Sequence, residues 1–212
     1  MKRNLYALAA AALVATSGPA FAQDRSAATP AGMPGVSDVT RIKSGTYRTD
    51  PDHTQIAWSV DHMGFSTLFG MFGQIAGSLT LDAADPKAAE LEIEIPMSGL
   101  VVTSEKFSKH LRSAEILDAE KFPTATFRST SIEPLGQKAR ISGDLTVHGV
   151  TRPVRLDVAF HGAGVNPMTK AETIGFSATT RVKRSEFGLG YATPVVSDDV
   201  EVTIVAAFEK QP

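Results

Sequence analysis

The stretch Glu90-Leu91-Glu92-Ile93-Glu94-Ile95-Pro96-Met97 decides the fold class. Leu91, Ile93, Ile95 and Met97 share one parity, and Glu90, Glu92 and Glu94 share the other. A strand turns successive side chains to opposite faces and so separates the two sets; a helix would carry the glutamates into the apolar stripe. The same alternation recurs on both sides of this segment. Ile56, Trp58, Val60 and His62 alternate with Gln55, Ala57, Ser59 and Asp61. Ala139, Ile141, Gly143, Leu145 and Val147 form one face of a later segment, and Val154, Leu156, Val158 and Phe160 form the next. Ile174, Phe176, Ala178 and Val182 line up on a further strand, as do Val200, Val202, Ile204, Ala206 and Phe208 on the last. Phe127 belongs to a short strand around Thr124 to Ile132. Residues 70–82 supply another, with Ile75, Leu79 and Leu81 inward and a bulge expected near Gly73 or Gly77.

These segments make about eight strands, separated by turn chemistry at Asp82 to Lys87, at Pro134-Leu135-Gly136 and at Gly149 to Pro153. One segment reads as helix. Thr103 or Ser104 caps it, and Phe107 and Leu111 lie four apart on one face; helix and then irregular chain are expected from Glu105 to Phe122. Short connections favour antiparallel neighbours. An open sheet of such strands would expose long adhesive edges, which closure into a barrel removes. Periodicity alone leaves barrel and sandwich open.

Composition excludes several function classes. Lys and Arg number 21 against 23 Asp and Glu, a net charge of -2, so no basic excess points to nucleic acid. The chain has no cysteine, which removes disulfide scaffolds, thiolate metal sites and thiol nucleophiles together. Serine-hydrolase, zinc-protease and phosphate-loop motifs are absent, so no catalytic residues, metal ligands or cofactor are assigned. The histidines, His53, His62, His110, His148 and His161, show no close metal-ligand spacing, although His148 and His161 fall on the polar faces of adjacent strands.

Residues 1–22 read as a secretory signal peptide: Lys2 and Arg3 start it, an apolar run from Leu5 to Ala15 comes next, and Ala20-Phe21-Ala22 forms a small-x-small cleavage site. The run is well short of the roughly 20 residues that span a bilayer, so no membrane span is expected. Residues 23–44 mix Ala, Pro, Gly and Ser and read as a flexible leader. Residues 45–212 are treated as one domain.

The chain resembles the YceI-like, or polyisoprenoid-binding, family of exported bacterial proteins. The likeness is carried by Tyr47-Arg48-Thr49-Asp50-Pro51-Asp52-His53-Thr54, by Val60-Asp61-His62-Met63-Gly64-Phe65-Ser66-Thr67, and by Gly70-Met71-Phe72 with Gly77-Ser78-Leu79. It continues through His110-Leu111-Arg112-Ser113, Phe122-Pro123 and Phe127-Arg128-Ser129-Thr130, then Gly143 to Val154, Gly175-Phe176, Arg184 to Gly188 and Asp198-Asp199-Val200. The stretch Ser104 to Lys109 departs from the family pattern, which often has an Arg-Asp pair just before the histidine. The resemblance implies an all-β fold, an extended lipocalin-like eight-stranded antiparallel barrel with one short helix. It implies a periplasmic, non-catalytic and often homodimeric protein whose apolar tunnel holds a long-chain isoprenoid lipid, a polyprenyl quinone or a polyprenyl phosphate. On that basis Trp58, Val60, Leu91, Ile93, Phe127, Ile141, Leu145 and Phe176 are expected to line the tunnel. His62 continues the Trp58 face. Phe65, Phe69 and Phe72, in a stretch with little strand period, are expected at the mouth. Two other readings stay open: an enzyme or binder acting on a small apolar or amide-type ligand in the barrel, and a protein-interaction surface on the Phe65 to Phe72 segment.

Overall fold

The computed structural model describes residues 32–212. The signal-peptide assignment and residues 23–31 of the expected leader lie outside the described residues. The strands are β1 (Gly45–Thr49), β2 (Gln55–His62), β3 (Ser66–Phe72), β4 (Ala76–Leu81), β5 (Glu90–Pro96), β6 (Leu100–Val101), β7 (Thr124–Leu135), β8 (Lys138–Val147), β9 (Val150–Val165), β10 (Glu172–Lys183) and β11 (Asp199–Lys210). One helix, α1 (Glu105–Arg112), comes after β6. All pairings are antiparallel, and β1-β4-β5-β7-β8-β9-β10-β11 returns to β1, a closed ring of eight.

The ring closes on one edge of β11, which serves two strands in series. β1 pairs with its end through Tyr47↔Lys210 and Thr49↔Phe208, and β2 pairs with its beginning through Ile56↔Ile204 and Ser59↔Glu201. The interval Asp50 to Thr54 leaves Ala207 of β11 opposite no strand. Asp50 N donates to the Ala207 carbonyl at 2.8 Å, Thr54 Oγ1 donates to the same carbonyl at 3.2 Å, and Ala207 N donates to Thr54 Oγ1 at 3.2 Å. Thr54 is a fully buried polar side chain, and this double role is its reason.

Two neighbouring strands break at the same level. The chain leaves the ladder at Gly73 to Ile75 between β3 and β4, and at Met97 to Gly99 between β5 and β6. The three breaks bond to one another: Thr49 Oγ1 donates to the Ile75 carbonyl at 3.0 Å, and Gly73 N to the Gly99 carbonyl at 3.0 Å. The bulge expected near Gly73 or Gly77 is therefore an outright interruption at Gly73, with Gln74 at φ 57°, while Gly77 stays within β4. Beyond this seam β2, β3 and β6 extend the wall. Arg112 binds α1 back to it through the Met97 and Leu100 carbonyls, and Met97 N donates to the Pro123 carbonyl beside the start of β7. Ser104 caps α1, its Oγ accepting from Phe107 N at 3.2 Å.

Other details differ from the sequence expectation. β9 starts at Val150, with Pro153 inside the strand opposite Asp144. The turn is the two-residue loop His148-Gly149, both at positive φ, the geometry that matches the twist of a hairpin. Residues 32–44, expected as part of a flexible leader, lie against the barrel. Val36 exchanges two 3.0 Å hydrogen bonds with Ala163, and the buried Tyr47 hydroxyl donates to the Lys43 carbonyl at 2.8 Å. Gly164 permits the approach, since a Cβ there would stand 1.9 Å from the Pro34 carbonyl oxygen.

Replacing Thr54 by Val keeps the shape and leaves the Ala207 amide unpaired in the interior. Thr54→Val is expected to destabilise the fold by about 1–3 kcal/mol, read from the midpoint of urea unfolding.

Candidate functional site

The inward faces of the ring do not meet. They line a cavity of about 880 Å³ that runs the length of the barrel, from Val39, Ile42 and Pro86 at one end to His62, His110 and Tyr191 at the other. Alternation is visible along its wall. On β11 the lining residues are Val200, Val202, Ile204, Ala206 and Phe208, and on β5 they are Leu91, Ile93 and Ile95. The intervening residues face water: Glu90, Glu92 and Glu94 are exposed. In-register outer pairs include Arg128 with Glu92 at 3.0 Å, Lys183 with Asp199 at 3.0 Å, and Arg181 with Glu201. Such exposed pairs, screened by water, add little to stability. Their meaning is polarity: a membrane barrel carries the reverse pattern, with an apolar outer band.

Trp58, Val60, His62, Phe72, Leu91 and Ile93 all line the cavity. So do Phe127, Ile141, Leu145 and Phe176. Phe65 and Phe69 do not, and their assignment is corrected. They are 88% and 64% exposed, because the stretch read as lacking strand period is β3, hydrogen-bonded to β2 from Ile56↔Phe72 to His62↔Ser66. Leu68 and Phe72 point inward, Phe69 and Met71 outward, and Phe65 sits at the hairpin tip. Gly70 seats the indole of Trp58, since a Cβ there would lie 2.1 Å from Trp58 Cζ2.

The sequence did not mark several lining residues at the α1 end, among them Phe107, Leu111, Leu117, Phe187, Leu189 and Tyr191. The first pair carried a signal, being the apolar face already seen on the helix. Phe187, Leu189 and Tyr191 alternate too, but on an irregular loop that one residue organises. The Arg184 guanidinium donates to the carbonyls of Ser197 at 2.8 Å, Val196 at 2.8 Å, Tyr191 at 2.7 Å and Leu189 at 2.5 Å. Burial pulls its pKa below the ordinary arginine value, against the opposing charge of Asp198. Asp198 accepts from Ser185 N and Ser185 Oγ, both at 2.8 Å, and these bonds hold its carboxyl below the usual range. The loop is fastened to β2 by Met63 N to the Val195 carbonyl and Ser197 N to the Asp61 carbonyl, each 2.9 Å.

Several polar residues border the cavity at this end, among them His62, His110, Arg184 and Tyr191. The His110 and Tyr191 rings meet edge to face at 5.7 Å, and His62 forms an isolated bridge with Val196. His148 instead packs on Phe122 at 4.6 Å in the β8–β9 turn, His161 is exposed far along β9, and His53 pairs with Asp50 on the surface. The two histidines on adjacent strands are thus not neighbours. Among the described residues no three His, Asp or Glu side chains are grouped to hold a metal, and no helix is long and apolar enough to cross a membrane.

The YceI-like domain family matches residues 47–208. A UPF0312 protein of Pseudomonas putida is 33% identical over 168 residues, covering 77% of this chain and 87% of that protein. Protein YceI of Salmonella arizonae is 32% identical over 206 residues, 96% of each. Among solved structures, BcnA of Burkholderia cenocepacia superposes with a TM-score of 0.67 at 22% identity, covering 75% of this chain and 98% of that one. A protein of Saccharophagus degradans described as a polyisoprenoid binding domain gives 0.57 at 14%, over 78% and 98%.

Because the Asp198 carboxyl is held low in the folded state, its contribution is complete above the unfolded carboxyl value near ~3.9 and is lost as pH falls through its native value. Asp198→Asn is expected to lower the melting temperature at neutral pH. The gap from the parent protein should close progressively below about pH 4 in a thermal-melt series.

Proposed function

The chain belongs to the YceI-like family, and from that premise we propose that it binds a long-chain isoprenoid lipid in the barrel, as a carrier or reservoir rather than as an enzyme. The observation that supports this most is the continuous apolar cavity of about 880 Å³. It falls within the range of small-molecule sites, roughly 300–1,000 Å³, and has their composition: a hydrophobic lining with a few polar groups converging at one place. Its shape favours a chain over a compact ligand. The lining from Val200 to Phe208 on β11 extends about 27 Å along the strand at about 3.4 Å per residue. At a tilt near 40° that is about 20 Å along the barrel axis.

Energetics favour length as well. Each buried methylene contributes about 0.8 kcal/mol, so ten to twenty give roughly 8–16 kcal/mol. Association costs about 4–15 kcal/mol. A short apolar molecule leaves little surplus in that balance; a polyprenyl tail in a preformed bore leaves enough. The location we propose is the periplasm, on the strength of Lys2, Arg3, the apolar run and Ala20-Phe21-Ala22. The ion pairs on the outer wall suit a protein that carries its apolar surface inside.

Placing a charge in the bore tests the assignment. Trp58→Arg and Phe176→Arg are each expected to reduce uptake of a polyprenyl quinone by at least tenfold, measured by native mass spectrometry after delipidation, with circular dichroism establishing that the strands remain. If both variants fold and load lipid as the parent does, the bore is not the binding site.

A further inference from the structure

We propose that the β2–β3 hairpin and the outer face of β3 and β6 dock on a lipid bilayer, so that the mouth of the bore opens against hydrocarbon rather than water. The inference rests on the lipid-binding reading and adds the surface through which the ligand passes. On β5 and β11 the outer face carries glutamates, and an exposed apolar residue there, Val205, stands alone between Ser177 and Gln55. β3 breaks that rule. Leu68 and Phe72 line the bore, while Phe69 and Met71 point outward and are exposed. Across the ladder Met71 stands opposite Val101, itself 57% exposed, and opposite Ala57; Phe69 stands opposite Ser59. Directly opposed residues present their side chains on one face, so these form a single patch, which Phe65 extends at the hairpin tip. Charge resumes at Glu201 on β11 and at Asp61, whose carboxylate accepts from the Gly64 amide at 2.8 Å at the base of the turn. From Met63 to Leu81, and again from Ile95 to Ser104, the chain has no Asp, Glu, Lys or Arg. Submerging this surface in lipid therefore buries no charged side chain, which is the costly step for any other part of the wall.

The bore identifies what covers the patch. Met63 is both exposed and part of the lining, and so is Tyr191. The bond from Met63 N to the Val195 carbonyl brings the exposed Val195 to the same rim. Apolar surface thus runs from the lumen over the rim and along the outer face of β3. A ligand with a long apolar tail resides in bilayers, and passage through water exposes every methylene of that tail. A bilayer against this rim covers the exposed side chains and supplies the ligand together; a protein seated on the same rim shuts the mouth. Charge does not select an anionic surface. The neighbouring α1 carries Glu105, Lys106 and Lys109, with Lys109 paired to Glu105. The attraction is apolar insertion into the interface, the mode of proteins that lie on a membrane without crossing it.

The test mixes the delipidated protein with vesicles of phosphatidylcholine alone and measures co-sedimentation. The parent is expected to sediment with the vesicles, and its partition coefficient should change by less than about threefold between about 0.1 and about 1 M salt. The double variant Phe65→Asp, Phe69→Asp alters two side chains that face water and is expected to keep the circular dichroism of the strands. Its partition coefficient should fall about tenfold or more. Transfer of a polyprenyl quinone from donor vesicles should slow to the same degree, while loading of the quinone from ethanol stays as in the parent. A parent that loads quinone from ethanol yet stays in the supernatant overturns the inference and leaves lipid binding in place. So does a double variant that binds vesicles as the parent does, or vesicle binding that high salt abolishes. Vesicle binding through the patch by a protein that loads no quinone from either source sustains the surface and overturns the lipid-binding reading. If the two substitutions split a dimer into monomers and leave vesicle binding unchanged, the patch is the contact of a second copy and the inference fails.

Discussion

The structure depends on one edge of β11 serving two strands in succession. β1 bonds its last residues and β2 its first, and at the joint Asp50 and Thr54 complete the hydrogen bonding of Ala207. That joint turns a sheet with two open edges into a ring. Closure pairs β1 with β11 and turns one face of each ring strand, the face that carries most of the apolar side chains, inward. The three interruptions sit side by side and bond across to one another. The wall can therefore change direction there without exposing unpaired groups, and β2, β3 and β6 carry the bore on towards α1.

Closure makes a tube with a greasy inside and a charged outside. Its lining side chains are mostly Leu, Ile, Val and Phe, and they leave about 880 Å³ unfilled. Lining atoms that face empty space forgo the dispersion contacts that a packed interior provides. A flexible hydrocarbon chain supplies them, which is the physical link between this architecture and a lipid ligand. The loop held by Arg184 and the cap of α1 then decide what chemistry meets the ligand where the tube ends.

Much of the wall is legible in the sequence, and the physical reason is the parity of a strand. Leu91, Ile93, Ile141, Leu145 and Phe176 can be placed on the inner face because a residue two steps from an inward neighbour must also face inward. The same rule, applied strictly, separates Phe72 from Phe69; the crowd of aromatic residues and glycines between Gly64 and Phe72 hides the period, so that two outward-facing phenylalanines read as part of the mouth. The strand breaks are illegible for a different reason. Gln74 adopts a left-handed backbone that its side chain does not announce, and the partners of Thr54 and Arg184 are carbonyls, which every residue has. The docking of residues 32–44 is equally hidden, because a segment rich in small residues reads as flexible unless the groove that receives it is known.

The most direct test of a hollow, lipid-bearing barrel is the native mass spectrum of the protein purified without detergent or added lipid. The expected result is a discrete surplus of several hundred daltons per chain that organic solvent removes and a polyprenyl lipid restores at one molecule per chain. A spectrum at the bare polypeptide mass, from a folded protein that then takes up no polyprenyl lipid at micromolar concentration, would contradict it.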